Sequence, residues 1–91
     1  MMIQALLTAA GATADSAVVY VQEFAVRPYV IAQVDITATA TVKVQGRVSD
    51  LFGWVDLYSF TASGAQQVTA MPQMRFSATI TSGTVDAALA G

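Results

Sequence analysis

Six carboxylates, Asp15, Glu23, Asp35, Asp50, Asp56 and Asp86, are the groups in this chain best suited to acid, base or hard-metal chemistry. Histidine and cysteine are absent, which removes the commonest general base together with the imidazole and thiolate ligands that zinc prefers. Carboxylates alone leave two chemistries to weigh. Calcium asks for clustered oxygen ligands, yet these acids stand singly with no Asp-x-Asp-x-Asp loop spacing, so a site would have to be assembled across loops. Glycoside hydrolysis asks for two acids flanking one bond, and Asp56 could approach Asp86 or Asp35 in a folded sheet. Against this, a substrate-burying pocket takes some hundreds of cubic ångströms from a core this small. Solvated carboxylates on strand faces and turns are the simpler reading. Glycine-rich phosphate loops and nucleophile elbows are missing, and serine without histidine forms no standard triad. The expectation is a protein with no catalytic residue, no metal and no cofactor, not an enzyme.

Aromatic and cationic residues offer binding rather than turnover. Trp54 could stack on a sugar ring, with Tyr58 expected on the same strand face and Asp56 as the nearby polar group. The alternative is that Trp54 plugs the end of a small core, the commoner use of a lone tryptophan. The four cations are Arg27, Lys43, Arg47 and Arg75. Outnumbered by the carboxylates, they create no basic field for phosphate backbones or anionic lipid, so neither nucleic acid nor a membrane surface is an expected partner. Lys43, Arg47 and Arg75 read as outward-facing charges, either solvated or paired with a neighbour's acids.

These side chains need a scaffold, and composition narrows what it is. Ninety-one residues make one domain, 1–91, with one thin core. The chain is 55% apolar and only 11% charged, against about 25% charged for typical soluble domains. Much of its surface is therefore uncharged, which suits a protein docked in an assembly, where charges at an interface core would cost desolvation energy. No apolar run reaches the roughly 20 residues that span a bilayer. The N-terminal stretch to Ser16 resembles a secretory signal in its short apolar run and the Ala-Thr-Ala beyond it, but no Lys or Arg leads it, so synthesis in the cytoplasm without export is expected.

Period-2 alternation then writes the elements. From Thr37 to Ser49, Ala38, Ala40, Val42, Val44, Gly46 and Val48 alternate with polar residues, the pattern of a half-buried strand. Gly46 within it marks a bulge or a close backbone approach. After Pro72, Met74, Phe76, Ala78 and Ile80 alternate with Gln73, Arg75, Ser77 and Thr79. Ser82-Gly83 and Thr84–Ala90 then predict a closing hairpin. Trp54–Phe60 and Ala65–Ala70, joined through Thr61-Ala62-Ser63-Gly64, predict another hairpin. Ala17–Gln22 and Tyr29–Ile36 are rich in Val, Ile and Tyr and read as strands broken at Arg27-Pro28. Met2–Ala10 fits a strand better than a helix, which Gly11 would cut short. About seven or eight short strands at roughly 8–12-residue spacing predict an all-β fold, a small antiparallel two-sheet β-sandwich or flattened barrel.

One connection departs from turn vocabulary. Asp50-Leu51-Phe52-Gly53 sits where a hairpin turn belongs, yet carries two large apolar residues that a solvated turn does not need. Leu51 and Phe52 either fold back over the open end of the sandwich or insert into a partner. Exposed sheet edges, with few charges or prolines to protect them, argue for burial in an oligomer.

From Val42 onward the order Val-Lys-Val-Gln-Gly-Arg, Trp54-Val55-Asp56-Leu57, Thr61-Ala62-Ser63-Gly64, Met71-Pro72-Gln73-Met74-Arg75, Thr81-Ser82-Gly83-Thr84-Val85 and Leu89-Ala90-Gly91 resembles a small β-module of tailed-bacteriophage virion proteins. The departure is the turn before Trp54, polar in such modules and Leu51-Phe52 here. The resemblance implies a capsid decoration or cement protein, made in the host cytoplasm and sited on the capsid surface of the virion. It further implies a homo-oligomer, often a trimer, docked on the major capsid protein, with Leu51, Phe52, Trp54 and Arg75 as the candidate interface. A neck, tail or fibre-attachment component is the alternative within the virion, and a carbohydrate-binding module using Trp54 and Tyr58 the alternative outside it.

Overall fold

The computed structural model describes residues 3–21 and 28–91. Every described element is a strand: β1 (Ile3–Ala10), β2 (Ala14–Asp15), β3 (Val19–Tyr20), β4 (Tyr29–Ile36), β5 (Thr39–Arg47), β6 (Val55–Phe60), β7 (Gly64–Thr69), β8 (Gln73–Ser82) and β9 (Val85–Ala90). The first strand settles the Met2–Ala10 alternative in favour of extended chain over its described part. Within Ala17–Gln22 only Val19–Tyr20 pairs, and Gln22 to Arg27 lie outside the described residues, as does Glu23.

The strands form two antiparallel sheets, one of four strands in the order β1-β9-β4-β7 and one of five in which β2-β8-β5-β6 is joined by β3 on β8. They pack as a β-sandwich whose shortest Cα extent is 17 Å, in keeping with two layers about 10 Å apart. Alternation delivers the core directly. Val42 and Val44 of β5, Met74 and Phe76 of β8, Val30 and Val34 of β4 and Val85 and Leu89 of β9 are all buried between the sheets. Burial drives this arrangement, since each large aliphatic or aromatic side chain removed from water contributes about 1.5–3 kcal/mol.

Two expected hairpins are corrected. β6 pairs with β5 and β7 with β4, so Thr61-Ala62-Ser63 carries the chain from one sheet to the other instead of reversing it within one. Ser82-Gly83 does the same, because β8 pairs with β5 and β9 with β4 and β1. Gly83 takes φ +80°, and a Cβ there would lie 2.6 Å from Thr37 Oγ1 and 2.9 Å from the Ala38 amide nitrogen. The turn is thus wedged against the β4–β5 connection in a conformation that favours glycine. A true hairpin does join β5 to β6, and its tip is the Val48–Trp54 segment.

Polar ties concentrate at the end of the sandwich opposite that tip. Thr84 N donates to Thr37 Oγ1 at 2.7 Å and Thr37 N to the Thr84 carbonyl at 3.1 Å. Nearby, the Ser63 hydroxyl donates to Asp35 at 3.0 Å and accepts from the Ile36 amide at 2.8 Å. Ile80 N donates to Thr13 Oγ1 at 3.0 Å, and Ala9 N to Asp86 Oδ1 at 2.7 Å. Every inter-sheet crossing at this end is therefore held by side-chain oxygens that satisfy backbone amides the ladders leave free.

Candidate functional surface

The hairpin tip places Leu51 and Phe52 in solvent. Leu51 is 89% exposed and Phe52 60%, and they are joined by Val48 at 60% and Val55 at 55%. Neither Leu51 nor Phe52 folds back over the sandwich, so of the two alternatives the core reading is excluded. The turn holds itself together locally: Phe52 N donates to the Ser49 carbonyl at 3.1 Å, and Leu51 N to Ser49 Oγ at 3.3 Å. The amides of Leu51 and Phe52 are both bonded to Ser49 while their side chains are displayed.

Beside the tip lies the outer face of the five-stranded sheet, where β5 and β8 run in register from Thr41↔Thr79 to Arg47↔Gln73. Their outward side chains form a continuous chain of contacts. Lys43 Nζ lies 3.3 Å from Asp56 Oδ2, and Gln45 Nε2 donates to Asp56 Oδ1 at 2.8 Å. Gln45 Oε1 accepts from Arg75 Nε at 2.8 Å, and Arg75 Nη1 lies 3.3 Å from Asp15. Arg47 Nε donates to Gln73 Oε1 at 2.7 Å. The amide of Gln45, followed by the Lys43 ammonium, holds the Asp56 carboxyl below the usual carboxylate range against the opposing cost of partial burial.

Trp54 completes this face. Its ring lies 4.2 Å from the Arg47 guanidinium carbon and 4.5 Å from that of Arg75, two cation–π contacts on one indole. It does not plug the end of the core, as the commoner use of tryptophan suggested; it is half-buried on the outside of the sheet. Arg75, engaged by Asp15, Gln45 and the ring, is thereby a positioning group for Trp54 more than a free charge. Tyr58 does not share the Trp54 face. A bulge between Val44 and Gln45 sets Asp56 opposite Gln45 and Tyr58 opposite the buried Val44, and residues directly opposite one another share a side of the sheet. Tyr58 packs edge-on against the inward Phe60 ring at 4.8 Å. One extra residue, Leu57, divides the expected pair of aromatics.

The acids are dispersed. Asp56 sits on the five-stranded sheet, whereas Asp35 and Asp86 lie directly opposite one another on β4 and β9 of the other sheet, so Asp56 approaches neither. Asp35 and Asp86 border a shallow depression of about 220 Å³, lined also by Ala5, Leu7, Thr8 and Ala88. That is below the roughly 300–1,000 Å³ of small-molecule sites. Among the described residues, no group of three or more acids is placed to hold a metal ion, and no helix is long and apolar enough to cross a membrane.

Buried polar architecture includes one residue that composition did not flag. Ser16 accepts from Phe76 N at 2.8 Å through its hydroxyl while its own amide donates to the Phe76 carbonyl at 2.8 Å. It closes a gap in the β8 edge that the two-residue β2 does not reach. A serine directly before an apolar stretch is too common to signal this role.

Comparison of the chain with protein-family models, with curated proteins and with solved structures yields no match in any of the three.

Proposed function

We propose that this chain is a non-enzymatic structural protein of a tailed-bacteriophage virion, a capsid decoration or cement protein that oligomerises and docks on the major capsid protein. One observation carries the docking part of this reading. Val48, Leu51, Phe52 and Val55 crowd large apolar surface onto a single hairpin whose tip is closed by bonds from Leu51 N and Phe52 N to Ser49, and folding gains nothing from leaving them in water. The virion part rests on the sequence resemblance and on a surface poor in charge. Trp54, in contact with both Arg47 and Arg75 beside the tip, extends the contact area with a rigid aromatic of the kind enriched at interfaces. Such a protein stabilises a shell by binding its assembled state, and its effect grows with occupancy.

The same tip would serve a neck, tail or fibre-attachment component equally. A carbohydrate-binding role draws support from the Gln45, Asp56 and Gln73 side chains around Trp54, although the bulge withholds Tyr58 from that platform. Mass spectrometry of purified phage particles tests the first reading. The chain is expected among the virion proteins at stoichiometric abundance, and its absence there would remove the proposal. A glycan array separates the carbohydrate reading, which requires binding that Trp54→Ala abolishes without unfolding the domain.

A further inference from the structure

The sheet edges of this sandwich are not alike. β1 is interrupted by register shifts between Ala5 and Leu7 and between Leu7 and Ala10, with Ala9 at φ 47°. β2 and β3 are two residues each. β6 carries a bulge and the charge of Asp56. Each of these is a recognised defence against edge-to-edge pairing. β7 has none. It pairs with β4 through six consecutive partners, Tyr29↔Thr69 to Val34↔Gly64, without a shift. It contains neither proline nor charge, and no residue from Leu57 to Met74 is charged. No described strand pairs with its other side.

The direction of its free backbone groups follows from one bond. Ala70 N donates to the Pro28 carbonyl, so by the two-residue period Val68, Gln66 and Gly64 turn their amides and carbonyls toward β4. Those of Ala65, Gln67 and Thr69 point away from the sheet. The side chains of these same residues are exposed on the outer face, while Val68 is buried. In the single chain, the side-chain Nε2 of Gln66 donates to the Gln67 carbonyl at 3.2 Å, occupying the position where a neighbouring strand's N–H would donate.

We infer that the free edge of β7 pairs antiparallel with the same edge of a second copy of this chain, about a two-fold axis at Gln67, so that the two four-stranded sheets continue as one. Gln67 then faces its own copy, and Ala65 faces Thr69 of the copy. Both are pairs that exchange N–H and C=O bonds, with all side chains matched face to face. A second copy is the occupant this edge fits because any charge near a two-fold axis meets its own image, and β7 and its flanks carry none. The contact goes beyond the docking role of the hairpin tip and stands independently of it. Being isologous, it joins copies two at a time and does not itself close the trimer that the virion resemblance implies.

Sedimentation equilibrium of the full chain is the test, read alongside far-UV circular dichroism. The wild type is expected at twice the 9.5 kDa chain mass. Gln67→Pro, which removes an amide that β4 does not use, is tolerated at such an edge position and is expected to run as a folded single chain. Gln67→Lys and Gln67→Glu, each opposing its own charge across the axis, are expected to weaken association by roughly two- to five-fold. Mixing the two chains restores the dimer. A wild-type monomer or trimer, or a dimer as tight with Gln67→Pro as without it, would overturn the inference. Should Gln67→Pro unfold, the charge-swap mixture decides: recovery of the dimer on mixing supports the β7 contact, and no recovery overturns it. Presence of the chain in virions is read separately, so neither result stands in for the other.

Discussion

The two ends of the sandwich are built from opposite materials. At one end the Thr37–Thr84, Ser63–Asp35 and Thr13–Ile80 contacts tie the crossings between sheets. At the other the β5–β6 hairpin projects Leu51 and Phe52 into water. The first end spends its polar side chains on backbone amides; the second spends large apolar side chains on nothing within the chain. In a domain whose total stability is about 5–15 kcal/mol, the contrast says that the tied end maintains the fold and that the tip adds little to it, as the proposed docking role requires.

Substitutions at the tied end are expected to show the largest effect. Gly83→Ala forces a left-handed conformation on a residue with a Cβ, which costs about 1–3 kcal/mol, and drives that Cβ against Thr37 and Ala38. Chemical denaturation should register a loss of at least about 2 kcal/mol. An unchanged midpoint would mean that the turn is not wedged as described. Between the ends, Ser16→Ala leaves the buried Phe76 amide without its acceptor, for which a loss of about 1–3 kcal/mol is expected by the same measurement.

How much of this contrast the sequence carries depends on the kind of signal. Two-residue alternation locates β5, β8 and β9 to within two residues, because a strand buried on one side must alternate, and the Val, Ile and Tyr content of Tyr29–Ile36 locates β4. Turn residues at Thr61–Gly64 and Ser82-Gly83 marked where the chain reverses but not whether it stays in its sheet, since glycine frees φ for either route. The sheet order was hidden for that reason. Leu51 and Phe52 were legible as an oddity, and only packing distinguished display from burial. The Trp54–Tyr58 pair failed because a single bulge, invisible in composition, reverses every side chain beyond it. Gly46 within an alternating run signals a bulge or a close backbone approach. The approach is real, as a Cβ there would meet Met71 at 2.7 Å.

On the tip side, the ladder of charges on the outer face is expected to matter little to stability. Asp56 is held below its ordinary range by the Gln45 amide and then by Lys43. A carboxylate with a lowered folded-state pKa contributes stability that is present above its unfolded value and lost as pH falls through the folded one. Asp56→Asn should therefore lower stability only slightly at neutral pH, where the carboxylate's contribution is present, and converge with the wild type in acid below the ordinary carboxylate range, where Asp56 is protonated, so that the acid limb flattens. A large loss at pH 7 would show this face to be structural after all.

The smallest expected effect is the most telling. For the Leu51→Ser, Phe52→Ser double variant, the unfolding free energy by urea titration is expected to stay within about 0.5 kcal/mol of the wild type per substitution, as for surface changes that touch no core contact. A loss of about 2 kcal/mol or more, the scale of emptying a core position, would contradict the claim that the tip is no part of the fold, on which the proposed docking role depends.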